Sequence, residues 1–492
     1  MKETTLEQFR AMAESGEVVP VCREIPGDMD TPVSVLERFV QDDCIALLES
    51  VEGGENLGRY SFLGVNPYGI FTVEDGVPYL EMHGERRALK FEGNPLNALR
   101  GIVGGKKVAH DPELPPLPGG AIGRLDYEAA GLFEELPAPK GGKSGRPVCA
   151  FMLTNEIIAF DNKQHTIKVV VNVEPGHFAS TAEAYASAMH RIAAIIDKIC
   201  RRAASHRDYV SDTHVELKPE MTHEAFLEIV KRAKHCIVEG EVIQVVPSQA
   251  FSAESDIPPF SIYRALRLIN PSPYMFYLKL GGDILIGSSP ETLVKLENGV
   301  SLVRPIAGTR PRGATPEKDI ALEKSLIGDE KERAEHLMLV DLGRNDIGRT
   351  AKPGSVLVSD FMHVERYSHV MHLVSSVEGQ IRDDRDAFDL VSTAFPAGTL
   401  SGAPKIRAME IIHELEPGPR GFYGGAVGYF SCDGNMDLAI TIRTIEVSGR
   451  RLKVQAGCGI VADSVPEMEY QETLNKARAL FKAVEFAEKG LR

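Results

Sequence analysis

Pro147-Val148-Cys149-Ala150-Phe151-Met152-Leu153-Thr154-Asn155-Glu156-Ile157-Ile158-Ala159-Phe160 is followed by the turn Asp161-Asn162-Lys163-Gln164 and then by Thr166-Ile167-Lys168-Val169-Val170-Val171-Asn172-Val173. The two apolar runs, residues 147–160 and 166–173, read as two strands. A polar turn this short can join them only antiparallel, because a parallel neighbour needs a crossover of a dozen residues or more. The same pattern recurs outward. In the first half it covers residues 44–50, 60–64 (after the turn at Gly53-Gly54), 69–73 and 77–82; in the second half, 242–246, 274–280, 284–287 and 301–303. Helical periodicity is confined to a few stretches, notably 33–39, 181–205, 222–238 and 405–415. Strands outnumber strand–helix–strand units, so the expected class is α+β rather than a doubly wound parallel sheet. The chain of 492 residues is too long for one small core. The aperiodic basic and polar stretch near 206–220 is the expected linker between a unit at 1–205 and one at 221–492.

Composition narrows the partners. There are 55 basic and 70 acidic residues, a net charge of −15. Such a chain repels nucleic acid and anionic membrane, so neither is expected as a partner. An anionic substrate would need local Arg, backbone dipoles or a metal. The polar start Met1-Lys2-Glu3-Thr4-Thr5 lacks the apolar core of a signal peptide, and no run reaches membrane-spanning length. The seven cysteines are scattered, with no C-x-x-C pair. The expectation is a cytoplasmic protein with reduced thiols.

Four stretches carry chemistry-bearing residues. Residues 305–313 read as a tight basic turn. Asp329-Glu330-Lys331-Glu332 opens a helix that carries Glu335, with Gly343 as its expected C-terminal stop. Ser464-Val465-Pro466-Glu467 reads as a second capping box, opening a helix with Glu469 and Glu472 on one face. Glu335 is either solvated or, opposite Glu472 and Glu469, a ligand for a hard cation such as Mg²⁺. Glu472 also has ideal spacing to pair with Lys476. Residues 421–429 and 456–460 are Gly-rich, suited either to tight turns or to holding an anion on backbone N–H groups. Arg443, at the end of an apolar strand, needs a carboxylate partner from protein or substrate. His372 is either a core histidine or a catalyst. Residues 395–405 form a turn with the hydroxyls of Thr399 and Ser401, facing the start of the 405–415 helix.

Together, residues 305–313, 335–346, 395–405 and 464–478 resemble the chorismate-utilising enzymes, and within that family the branch that forms anthranilate. The resemblance spans nearly the whole chain, strongest over its C-terminal part. It implies two large antiparallel sheets packed face to face with helices outside. It implies that Gly308 and Thr309 contact chorismate, that Tyr423, Arg443 and Gly457, Cys458 and Gly459 hold its carboxylates with Lys476 nearby, and that Glu335, Glu472 and Glu469 bind Mg²⁺. The implied reaction adds ammonia at ring C2, expels the C4 hydroxyl, then eliminates pyruvate. Hydroxide is a poor leaving group, so an acid is required. Glu291 in Ser289-Pro290-Glu291 takes that place, with His372 as base and Thr399 positioning.

Two positions separate sister enzymes. Isochorismate and salicylate synthases carry a water-activating lysine where this chain has Gln244, which favours ammonia as nucleophile. Aminodeoxychorismate synthases typically carry a lysine where this chain has Ala307. The resemblance also implies a tryptophan-inhibitor pocket between the two units, from Glu49 and Ser50 with Pro273, Tyr274 and Met275. It implies a separate glutamine amidotransferase subunit supplying ammonia, and so a hetero-oligomer. Competing readings are an aminodeoxychorismate synthase component I, an aminodeoxyisochorismate synthase, or a silent tryptophan-binding regulatory subunit; Glu291, Glu335 and Glu472 argue against the last. The family's Gly-Tyr-x-x-Tyr-Asp is here Gly123-Arg124-Leu125-Asp126-Tyr127-Glu128, a departure that bears on the N-terminal surface.

Overall fold

The computed structural model describes residues 2–51, 58–138, 140, 142, 145–201, 210, 214–367 and 370–492. The turn at Gly53-Gly54 and most of the 202–213 stretch, including the start of the expected linker, lie outside the described residues.

Two large sheets organise these residues, one of eleven strands and one of twelve. All their pairings are antiparallel, and the α+β class holds. In the first sheet, strands of the first half run from Val19–Pro26 to Cys44–Glu49, which pairs with Tyr274–Leu280 of the second half. In the second sheet, Gly120–Leu125 pairs with Ala426–Ser431 across the same divide. Both sheets are therefore continuous across residues 206–220, and the halves on either side share them.

Period-two alternation explains how the sheets stack. On Cys44–Glu49, Ala46 enters the core between the sheets, whereas Ile45 and Leu47 face outward. On Tyr274–Leu280, Phe276 and Leu278 point inward, and Met275 and Tyr277 outward. The second sheet meets the first with Ile122, Met152, Val427 and Tyr429. The outward residues are covered by the helices Thr181–Cys200, Pro259–Ile269 and Pro466–Glu488. Burying a side chain such as Phe276 stabilises the stack by about 1.5–3 kcal/mol.

The run 147–160 is not one strand. It breaks at Asn155 into Cys149–Thr154 of the second sheet and Glu156–Asp161 of the first. Thr154 Oγ1 holds the corner, donating to Val65 O at 2.6 Å and accepting from Glu156 N at 3.0 Å. The chain changes sheets again at Pro290-Glu291, between Asp283–Ser289 and Thr292–Glu297, and at 441–443, between Met436–Ile440 and Thr444–Ser448.

Three local expectations are corrected. Residues 305–313 are mostly a strand, Ile306–Pro311, bulged at Gly308, whose φ is 66°. The helix begun by Asp329 does not stop at Gly343 but runs from Glu330 to Gly348. Gly343 lies inside it because an added Cβ would come within 2.8 Å of Val303 Cγ2. Ser464 does not cap the last helix; that position belongs to Val465, and Ser464 Oγ instead accepts from Val461 N at 3.1 Å. Among the described residues no helix is long and apolar enough to cross a membrane.

The sheet seam makes one stability prediction. Gly287 lies opposite Phe276, and a Cβ there would be 1.9 Å from Phe276 Cζ. Gly287→Ala must displace the ring and should cost about 1–3 kcal/mol of unfolding free energy. Chemical denaturation checks this; an unchanged midpoint would mean that the ring is not clamped at the seam.

Candidate active site

The two sheet changes at Glu291 and Arg443 lie side by side. Ile440 N donates to Glu291 O at 3.0 Å, Ser289 Oγ donates to Ile440 O at 2.6 Å, and Ser288 N donates to Arg443 O at 3.1 Å. A chain leaving one sheet for the other cannot continue its ladder. These residues are held by scattered hydrogen bonds rather than by a ladder, and their side chains can face the gap.

Glu291 is enclosed, and burial pushes its carboxyl up to about 7, against the opposing effects of Thr399 and Lys476. Thr399 Oγ1 donates to Glu291 Oε1 at 3.0 Å. A carboxyl raised this far is about half protonated at neutrality, where an ordinary glutamate is ionised, and can give a proton to a leaving oxygen. A cleft of about 400 Å³ runs past Glu291 and Thr399 toward Leu342 and Asp346.

Arg443 supplies the cation. Its backbone is left-handed, φ 49°, a strain of about 1–3 kcal/mol in a residue other than glycine. Burial lowers its pKa, and among the described residues no carboxylate pairs with its guanidinium. Tyr423 lies beside it, fixed because Gly424 N donates to Thr441 O at 3.0 Å and Thr441 N to Gly425 O at 2.9 Å. Tyr423 reaches the backbone of Gly457.

On the bulged strand, Thr309 pairs across the sheet with His372. His372 Nδ1 lies 3.0 Å from Thr309 Oγ1 and 3.2 Å from Gly308 O. A carbonyl only accepts, so this contact assigns the proton to Nδ1 and leaves Nε2 with its lone pair. Burial lowers the pKa of His372, which keeps it neutral.

Acidic residues line the remaining side. Burial, then Glu332, raises the carboxyl of Glu335, which Gln244 hydrogen-bonds and Lys476 partly offsets. Burial also raises Glu469, with Glu472 adding to the effect. Lys476 Nζ sits 2.8 Å from Glu472 Oε1 and 3.1 Å from Gly457 O. Among the described residues no three potential ligands close around one point. The oxygen-rich donor set, short of positive charge, fits a hard divalent cation that completes its shell with water or substrate oxygens.

Gln244 Oε1 is buried without a partner. A Cβ on Gly459 would lie 2.5 Å from Gln244 Nε2, so glycine there leaves room for the amide. Cys458 is placed differently from Gly457 and Gly459. It is fully buried in a separate apolar cluster, and its N–H already donates to Pro247 O at 3.1 Å. The other site residues named from the sequence are linked neighbour to neighbour: Thr399 to Glu291, Glu291 to Lys476, Lys476 to Glu472, Glu335 and Gly457, Glu472 to Glu469, Glu335 to Gln244, Gly457 to Tyr423, Tyr423 to Arg443, Arg443 to His372, and His372 to Thr309 and Gly308.

A second cavity of about 580 Å³ lies between the sheets at the seam. Glu49, Ser50, Pro273, Tyr274 and Met275 all border it. Glu49 turns its carboxylate to the outer face, where Arg267 Nη2 donates at 2.7 Å and Tyr263 Oη at 2.7 Å. Ser50 Oγ is buried without a partner. The sequence reading missed Lys295 and Asp437, which also line this cavity. Their signal was a charge within an apolar strand, as in Met436-Asp437-Leu438. Burial raises Asp437 to about 6.

The position of Glu291 fixes a pH dependence. Its folded pKa, about 7, exceeds the ordinary glutamate value of 4.5. The folded state therefore holds a proton that the unfolded state releases, and the wild type loses stability as pH rises through about 7. Glu291→Gln carries no such charge. Its stability relative to wild type should increase by up to about 3 kcal/mol between roughly pH 5 and pH 8.5. Urea unfolding at both pH values tests this, and a pH-independent difference contradicts it.

Known proteins resemble this chain along most of its length. The family described as chorismate binding enzyme matches residues 46–482. Anthranilate synthase component 1 of Acetivibrio thermocellus is 49% identical over 490 residues, covering 98% of both chains. The protein of that name from Aquifex aeolicus is 45% identical over 493 residues, with 98% of both chains covered. The crystal structure of anthranilate synthase component I from Streptococcus pneumoniae superposes with a TM-score of 0.77 at 38% identity, covering 93% of this chain and 99% of that one. The menaquinone-specific isochorismate synthase of Escherichia coli shares the fold, with a TM-score of 0.70 at 19% identity, covering 98% and 99%. Matched over most of its length, with Glu291, Arg443 and the Glu335 helix gathered at one place, the chain belongs to the chorismate-binding enzyme family.

Proposed function

We propose that the chain converts chorismate and ammonia into anthranilate and pyruvate, the first step of tryptophan biosynthesis. The observation that carries this reading is Glu291, a buried carboxyl at about 7 held by Thr399. It is suited to protonating the C4 hydroxyl, which leaves as water. Arg443, with no protein carboxylate of its own, and Tyr423 receive a substrate carboxylate. Gly308, Thr309 and Gly457 border the same space. The nitrogen lone pair of ammonia attacks C2, the two ring double bonds each shift one position, and the C4–O bond breaks as Glu291 gives its proton to the oxygen, which leaves as water. The added nitrogen then sheds its extra proton. In the second step His372 Nε2 takes the C2 proton, those electrons aromatise the ring, and the C3–O bond breaks; the departing enolpyruvate takes a proton at its methylene carbon, balancing the one His372 gained, and becomes pyruvate.

Gln244 offers an acceptor and no base, which supports ammonia over water as nucleophile. Ala307 offers no competing amine. Glu335 and Glu472, with Glu469 beside them, would hold Mg²⁺, which when bound offsets the charge of the substrate carboxylate. Ammonia is delivered by a glutamine amidotransferase subunit in a hetero-oligomer, and the enzyme works in the cytoplasm. L-Tryptophan inhibits at the seam cavity, where Tyr274, Pro273, Ser50 and the backbone of Glu49 meet the buried carboxyl of Asp437.

The test is to mix the protein with chorismate, Mg²⁺ and ammonium at mildly alkaline pH and follow anthranilate fluorescence. Fluorescence that rises, and falls on adding tryptophan, is the expected result. A non-fluorescent amino product would instead favour an aminodeoxychorismate or aminodeoxyisochorismate synthase. Glu335→Gln should weaken Mg²⁺-dependent activity by at least about tenfold. Full Mg²⁺-dependent activity in that variant would remove Glu335 from the metal site.

A further inference from the structure

Arg420 is only 1% exposed and is a hub of the site that no part of the reaction uses. Its Nη1 donates to Leu400 O at 2.7 Å, and its Nη2 to Val246 O at 2.6 Å. Its Nε and Nη2 also donate to Glu416, at 3.0 Å and 2.7 Å. Glu416 Oε1 in turn accepts from Ser248 N at 2.8 Å and Ser248 Oγ at 2.9 Å. The guanidinium carbon lies 4.5 Å from the Tyr127 ring centroid and 5.6 Å from that of Tyr423. Glu128, at the departure from the family's usual motif, accepts from Arg420 N at 2.7 Å and Gly421 N at 3.0 Å.

Three of these connections end next to, or on, a group already placed in the site. Leu400 follows Thr399, which holds Glu291. Val246 is two residues beyond Gln244. Tyr423 lies against the guanidinium itself. A buried ion pair adds little net stability over an apolar isostere, so packing alone does not call for arginine here. A planar fork donating to two carbonyls and a carboxylate while facing two aromatic rings is something only arginine provides.

We propose that Arg420 is a positioning residue that, through the carbonyls of Leu400 and Val246 and the ring of Tyr423, holds Thr399, Gln244 and Tyr423 in their working places. The proposal rests on the site reading above, in which Thr399 bonds the proton donor Glu291. Arg420 itself touches no reacting atom.

The experiment is a double-mutant cycle of Arg420→Lys and Thr399→Val, read as the pH profile of kcat/KM with chorismate and ammonium. Lysine keeps the charge but loses the fork. Thr399 stabilises ionised Glu291, so losing its bond raises the pKa of that carboxyl and moves the alkaline limb of the profile upward. Arg420→Lys should lower kcat by ~10- to 100-fold and move that limb in the same direction. In the Thr399→Val background it should move the limb no further. An unmoved limb in Arg420→Lys, or an equal further movement in the double variant, overturns the proposal even if kcat falls. Thr399→Val without effect overturns the site reading, and the Arg420 role with it. Thr399→Val with its effect and Arg420→Lys without one overturns the Arg420 role alone. If Arg420→Lys does not fold, Tyr127→Leu, which removes one aromatic face and none of these hydrogen bonds, takes its place. A smaller movement of the limb in the same direction supports the proposal, and an unmoved limb overturns it.

Discussion

The chain changes sheets while the two sheets stay packed on one core, and the rest of the structure depends on that constraint. A strand that leaves one ladder for another must pass through a few residues with no ladder partners. Two such passages, at Pro290-Glu291 and at 441–443, are adjacent because their flanking strands pair in both sheets. The acid and the strained arginine emerge there, one on each passage. Asn155 and Asn66 mark other changes of sheet, and Asn66 also has a left-handed backbone, φ 46°. The fold's irregular points are therefore consequences of its layering, and the site occupies two of them.

Electrostatics then decides what those points can do. In a chain of net charge −15, an anion must be met by local positive charge. Arg443 and Lys476 supply it, the first without a protein carboxylate and the second shared with Glu472 and Gly457. The same enclosure that destabilises an ionised Glu291 raises its carboxyl to about 7, so that a large share still carries its proton at neutrality. Glu335 and Glu469 are raised by burial and by neighbouring carboxylates, so the acidic side of the site is relaxed by an added cation.

The seam between the halves of the chain holds a second cavity close to the first site. Tyr274 Oη, on its wall, lies 2.8 Å from Thr292 Oγ1 and 3.1 Å from Asp437 Oδ1. Thr292 directly follows Glu291. A cavity built from residues nearly 400 positions apart in sequence, from Leu48 to Asp437, exists only because both sheets run unbroken across the two halves.

The strand-rich pattern, with direct antiparallel turns such as Asp161–Gln164, was enough to establish the α+β class, because alternation and turn length are local properties. Glu291, Arg443, Glu335 and Glu472 were legible as candidates because their residue types sit in distinctive short motifs. The tertiary structure alone decided that the 147–160 run splits at Asn155, since only the competing pull of two sheets reveals the corner. It continued the Glu330–Gly348 helix through Gly343, where close packing on Val303 needs a residue without Cβ. It turned the Glu49 carboxylate outward and brought Asp437 and Lys295 into the cavity, because which face a strand residue takes depends on register. Arg420 carried no signal in the chain. Its role arises from carbonyls and rings contributed by distant segments, and burial makes those contacts obligatory.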